Sequence, residues 1–185
     1  MKKYWYKTTM LVMALGAFTA CNDDDEPKGP EGPIAPVNGA YVINTGNWNE
    51  NNGTIQWYDR DLKTVSADLF AAANGAGIGD AQDLCIYGSK IYIACSSSAK
   101  IEIVDRKDFK RIKTLNLTNE SGQPIQPRYM TAAKGNIYFT AYDGTVSQID
   151  TTSLSITQKT EVGGSHPEAL TSANGKLYIN LSNYD

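Results

Sequence analysis

Gly135-Asn136-Ile137-Tyr138-Phe139-Thr140-Ala141, a turn at Tyr142-Asp143-Gly144, then Thr145-Val146-Ser147-Gln148-Ile149-Asp150 is the stretch whose reading decides the fold. Its apolar residues come in short runs bounded by glycine turns, the pattern of antiparallel strands joined as hairpins. The same register recurs along the chain. Gly39-Ala40-Tyr41-Val42-Ile43, Ser89-Lys90-Ile91-Tyr92-Ile93 and Gly175-Lys176-Leu177-Tyr178-Ile179 repeat its first strand, and the four tyrosines are 51, 46 and 40 residues apart. Trp57-Tyr58-Asp59 and Ile103-Val104-Asp105 repeat the acidic close of its second strand. A period in the forties with four short strands per repeat predicts the blades of a β-propeller.

Working outward, the third repeat should run from an innermost strand at 128–133 through 137–141 and 145–150 to an outermost strand at 156–162. The second repeats this at 84–87, 91–95, 100–105 and 111–117. The first supplies 40–44, 54–59 and 64–69, with its innermost strand absent or provided from elsewhere. No helical period is readable in residues 39–185, so the expected fold is all-β, a partial propeller of about three and a third four-stranded blades. Closed propellers take about 4 to 8 blades. The sequence is therefore expected to be the N-terminal part of a larger ring, with a self-associating half-propeller as the alternative.

Lys2, Lys3 and Lys7 precede an apolar run over 10–18 and the small residues Thr19-Ala20 before Cys21, the plan of a secretory leader over 1–20. The run is too short for a bilayer-spanning helix, which needs about 20 apolar residues. A cysteine directly after the small residues resembles a lipoprotein signal, with Cys21 acylated. An ordinary secretory signal ending near a cysteine is the alternative. Residues 21–38 open on Asn22-Asp23-Asp24-Asp25-Glu26 and continue through four prolines and two glycines over 27–36, which reads as an extended tether.

Without residues 1–20 the chain holds 14 basic and 20 acidic residues, a net charge of −6. An acidic domain with no basic stripe is a poor nucleic-acid partner, so none is expected. Cys85 and Cys95 flank one hairpin, where Cys85 should face Tyr92 or Ile93 and Cys95 should face Gln82 or Asp83. That is out of register for a disulfide. Both read as small buried apolar residues.

Loops between second and third strands, and loops leading into each inner strand, lie on one face of a propeller. Those loops carry the unusual residues. Asn47-Trp48-Asn49 presents an indole among amides, suited to stacking on a flat amide-bearing or sugar-like ligand, or to folding back over the edge of the first blade. Alignment of the inner-strand entries puts Asp83, Arg128 and Glu168 at matching places at the channel mouth, either as a salt network or as ligand contacts. Tyr142 and Tyr184 join the same face. His166, the only histidine, stands as a lone axial ligand, a general base or a plain loop residue. No paired His or Cys metal spacing, nucleophile elbow or phosphate loop occurs, so neither a catalytic nor a metal site is expected and the chain is read as no enzyme.

The run Val162-Gly163-Gly164-Ser165-His166-Pro167-Glu168-Ala169-Leu170, followed by Gly175-Lys176-Leu177-Tyr178-Ile179, resembles the YncE-like propellers with YVTN repeats. Gly39-Ala40-Tyr41-Val42-Ile43-Asn44-Thr45-Gly46-Asn47-Trp48, taken with Cys21, the acidic run and the tether, resembles the BtuG-type surface lipoproteins of Bacteroidetes. That resemblance implies a lipid anchor in the outer membrane, exposure at the cell surface, binding of cobalamin as a ligand and not a cofactor, and its delivery to a TonB-dependent transporter. A glycan-binding or scaffold propeller is the alternative reading.

Overall fold

The structure, a computed structural model, describes residues 38–183; Cys21, the leader, nearly all of the tether and Tyr184 lie outside the described residues. The first sheet holds β1 (Gly39–Asn44), β2 (Thr54–Asp59) and β3 (Thr64–Val65), and is followed by α1 (Leu69–Asn74). The second holds β4 (Ala81–Tyr87), β5 (Lys90–Cys95), β6 (Lys100–Asp105) and β7 (Arg111–Asn116). The third holds β8 (Pro127–Ala133), β9 (Asn136–Ala141), β10 (Thr145–Asp150) and β11 (Ser155–Glu161), and the fourth β12 (Pro167–Ala173) and β13 (Lys176–Leu181). Every sheet is an antiparallel meander of consecutive strands. The inner strands β4, β8 and β12 stand side by side, so the sheets are blades fanned about one axis. This is the expected partial propeller: among the described residues, three blades, the first without an inner strand of its own, and two strands of a fourth.

Alternation along each strand gives every blade two apolar faces. In β5, Ile91, Ile93 and Cys95 pack toward the first blade with Ile55, Phe70, Ile78 and Val104. Tyr92 and Ala94 pack toward the third, with Met130, Ile137, Phe139, Ala141 and Ile149. Full burial of such a side chain contributes about 1.5–3 kcal/mol, so these two junctions hold the blades together. The first junction also encloses a charge. Glu102, 1% exposed, accepts hydrogen bonds from Lys100 Nζ (2.8 Å), Arg111 Nε (2.9 Å) and Thr114 Oγ1 (2.8 Å). Burial pushes its carboxyl up, but these donors outweigh it and hold the pKa below the usual value.

Two expectations are corrected. The third strand of the first blade is only Thr64–Val65, and Leu69–Asn74 is helical, so the domain is not wholly β. Asp68 caps the helix by accepting from Phe70 N, and Gly75 closes it at φ 65° with its N–H on Ala71 O. A six-residue helix is too short to show a period, yet its two caps were readable in Asp68 and Gly75. Phe70 is buried at the junction and its ring lies under the Arg111 guanidinium at 5.1 Å. The second correction concerns the cysteines. Cys95 is buried and faces Ala81, while Cys85 faces Tyr92 and is only half-buried. Burial pushes the Cys95 thiol up to about 12, where it is inert, and its Sγ donates to Ile78 O at 3.5 Å.

Candidate functional site

Hairpins place alternate strand ends on one rim, and backbone bonds tie the two loop groups together there. Ser96 N donates to Asp80 O (3.2 Å), Tyr142 N to Gln126 O (3.0 Å) and Ser182 N to His166 O (3.1 Å). Each second-to-third-strand loop thus leans on the entry to its own inner strand.

The loop over 44–53 stands at one end of this rim. Asn47 Nδ2 and Asn52 Nδ2 both donate to Glu50 Oε2, at 2.8 and 3.0 Å, and Asn47 N donates to Asn52 Oδ1 at 2.8 Å. Asn49 and Asn51 take left-handed φ of 63° and 52°, which asparagine tolerates better than most residues. Polar side chains are thereby spent on shaping the loop. Trp48 is not folded back: it is 60% exposed. The loop is moored by Gly53 N on Gly79 O (2.7 Å) and by Ser98 Oγ on Asn51 Oδ1 (2.5 Å). A Cβ on Gly53 would collide with Gly79 O, and Gly79 itself sits at φ 101°, so this crossing needs glycine at both places.

Asp80, which sequence reasoning did not single out, anchors the next loop. It is fully buried and accepts from the N–H and hydroxyl groups of Ser97 and Ser98. Burial pushes its carboxyl up, and those four hydrogen bonds outweigh the effect, leaving its pKa below the ordinary value.

The channel mouth is built by one device used three times. Pairing slips by one residue between Ala81 and Asp83, between Pro127 and Met130, and between Pro167 and Leu170. Each inner strand therefore carries a β-bulge at its first turn, which re-aims a side chain. Counting from Ala81, Pro127 and Pro167, the equivalent residues are Gln82, Arg128 and Glu168. Asp83 was expected in this set and is not: it aligns with Tyr129 and Ala169. Its Oδ2 accepts from Met130 N at 2.7 Å, stapling β4 to β8.

The three bulge residues bond across blades. Arg128 donates through Nη1 to Gln82 Oε1 (3.0 Å) and Ser96 Oγ (3.4 Å), and through Nε to Glu168 Oε2 (3.1 Å). Tyr142 Oη donates to Glu168 Oε1 at 2.7 Å, its ring lies 4.5 Å from the guanidinium, and the His166 ring meets it edge-on at 5.0 Å. The ion pair is 13% and 16% exposed, so it is largely desolvated. His166 holds φ 50° just before Pro167 opens β12. The structure thus brings together Arg128, Glu168, Tyr142 and His166, adds Gln82 and Ser96, and puts Asn47, Trp48 and Asn49 one step round the rim. The loop over 96–98 touches both groups. Chemically, Arg128, Glu168, Gln82, Ser96 and Tyr142 form a charge-compensated wall joined by hydrogen bonds, with the His166 ring packed edge-on against Tyr142. Among the described residues no group of three or more His, Cys, Asp or Glu could hold a metal ion, and no helix is long and apolar enough to cross a membrane.

No family model matches this chain, and no curated protein matches it by sequence. Solved structures do match its fold. Hydrazine synthase of Kuenenia stuttgartiensis is similar at TM-score 0.57 and 16% identity over 69% of this chain and 36% of its own. The WD40 β-propeller domain of Doa1 matches at TM-score 0.57 and 16% identity over 76% of this chain and 47% of its own. A chain of the nidogen/laminin complex matches at TM-score 0.50 and 18% identity, over 69% and 45%. The chain spans less than half the length of each. At such identities the likeness concerns fold alone, and the class it defines with the strand topology is the β-propeller.

Proposed function

We infer that this propeller captures a flat, amide-rich small molecule at the cell surface, cobalamin or a related corrinoid, and passes it to a TonB-dependent transporter while anchored in the outer membrane through acylated Cys21. The observation that carries this reading is Trp48, an indole left 60% exposed on a loop shaped by hydrogen bonds among Asn47, Glu50 and Asn52. Such a ring costs little ordering entropy when it stacks on a ligand. Asn47 and Asn49 flank it with amides that match a ligand ringed by amides. Arg128, Glu168, Tyr142 and His166 then serve as the adjoining wall, with their charges compensated, which suits a ligand of little net charge. The same indole suits a sugar ring, so a glycan is the second reading.

Calorimetric titration of cyanocobalamin into the full chain, with an oligosaccharide panel beside it, separates the two. Trp48→Ala should weaken corrinoid binding by about 2 kcal/mol, the range of a hot-spot aromatic, or about thirtyfold. Heat with a glycan and none with cyanocobalamin would transfer the site to carbohydrate. Binding unchanged by Trp48→Ala would remove Trp48 from it. Cys21→Ala should abolish palmitate labelling; unchanged labelling would refute the anchor.

A further inference from the structure

Strand ends away from the channel mouth form a second rim, and the turns on it gather cations that are scattered in the sequence. Arg60, Lys63, Lys107, Lys110, Lys134 and Lys176 are exposed there. Residues 59–63, 88–90, 105–110, 134–136, 150–154 and 174–176 hold eight cations against five carboxylates. Of those carboxylates, Asp59, Asp105 and Asp150 are half-buried and accept from N–H groups of their own turns, and Asp108 is paired with Lys110 at 3.3 Å. The mouth rim is the reverse: Glu50, Glu120, Asp143 and Glu161 are exposed on it, Asp143 being paired with Lys159. A six-residue strand such as β5 sets the rims about 20 Å apart. That exceeds the screening length of about 8 Å at physiological ionic strength, so each rim presents its own charge. Leu62, 73% exposed, stands between Arg60 and Lys63 at the tip of the first blade's turn. A lone exposed leucine is ordinary, but this one stands where the chain enters the first blade. Arg60 N donates to Asn38 O at 2.9 Å, and Asn38 Nδ2 donates to Asp61 Oδ1, so the chain before Asn38 leaves from the basic rim.

We propose that the basic rim rests on an anionic lipid surface, with Leu62 entering the headgroup layer and the exposed cations meeting lipid phosphates. The orientation rests on the acylated Cys21 of the proposed function. Cys21 stands 17 residues before Asn38, a reach of at most about 60 Å. An anchored chain therefore holds this rim near the lipid at high effective concentration, and weak contacts suffice. Each cation beside such a surface strengthens attachment by about fivefold, and the leucine adds apolar burial. The channel mouth and Trp48 then face away from the lipid, open to a ligand arriving from the medium.

The test uses the full chain carrying Cys21→Ala and Cys85→Ala, so that no acyl group contributes, with vesicles of phosphatidylcholine alone or mixed with phosphatidylglycerol. Cosedimentation should show binding to the mixed vesicles and little to phosphatidylcholine. Lys63→Glu, Lys107→Glu and Lys134→Glu together should weaken it about a hundredfold. An environment-sensitive fluorophore on Leu62→Cys should shift to the blue on the mixed vesicles, and the same fluorophore on Glu120→Cys, on the mouth rim, should not. No binding to the mixed vesicles, equal binding to both kinds, indifference to the three charge reversals, or a shift at Glu120→Cys in place of Leu62→Cys would overturn the proposal. So would binding seen only after Asp23, Asp24, Asp25 and Glu26 are changed to their amides, because the rim would then belong to the chain's own acidic run. These results are read without the acyl group, so they stand apart from the palmitate labelling that tests the anchor.

Discussion

Replacing Arg128 by methionine tests how the channel mouth is held. Arg128 ties three inner strands through Gln82, Ser96 and Glu168, and its guanidinium lies over Tyr142. A hydrogen bond between charged groups contributes about 1.5–3 kcal/mol and a partly desolvated cation–π contact about 1 kcal/mol. Breaking a fully buried ion pair costs about 3–5 kcal/mol, and this pair retains some solvent, so about 3 kcal/mol is expected. For a domain near 150 residues that lowers Tm by roughly 10 °C. Methionine keeps the stem's packing, so the loss reports the charge and its bonds. Thermal and urea unfolding of Arg128→Met, Glu168→Gln and the double variant would give the coupling between them, expected at about 2 kcal/mol. Arg128→Lys should recover less than half, because one ammonium cannot reach Gln82 and Glu168 in the geometry of the fork. A Tm shift under about 2 °C for Arg128→Met, or a coupling near zero, would refute the idea that this network joins the blades.

Two further outcomes follow from buried polar groups. Tyr92 Oη is buried and has no hydrogen-bond partner among the described residues, and burial, aided by Cys85, Tyr87 and Asp150, pushes its pKa up to about 12. Tyr92→Phe keeps the ring, removes the desolvated hydroxyl and should raise stability by about 1 kcal/mol in urea unfolding; a loss would mean the hydroxyl is satisfied. Burial also raises the Asp83 carboxyl above its ordinary value, although the N–H groups of Met130 and Leu84 oppose it. A raised folded pKa means tighter proton binding in the folded chain, so this group's stabilisation is present below the unfolded pKa of about 3.9 and is lost as pH rises through the folded value. Asp83→Asn keeps an acceptor for Met130 N, so the variant should exceed the parent in stability at pH 7, with the gap closing toward pH 4. A gap independent of pH would contradict the assignment.

The sequence by itself determined the hairpins, the blade period and the strands other than the short third one of the first blade, because alternation and glycine turns are local signals and each repeat reinforces the others. It also determined that Cys85 and Cys95 are out of register, since a two-residue turn fixes the offset of its strands. Tertiary structure decided what depends on distant partners. Gln82, Arg128 and Glu168 stand the same number of residues before Tyr92, Tyr138 and Tyr178, so counting back from the tyrosines gives their equivalence and excludes Asp83; what only the structure shows is the bulge in each inner strand and the bonds these three side chains make to one another. Asp80 became an anchor only when the hairpin brought Ser97 and Ser98 onto it. The exposure of Trp48 was likewise set by bonds among Asn47, Glu50 and Asn52, whose side chains alone are equally compatible with a loop folded the other way.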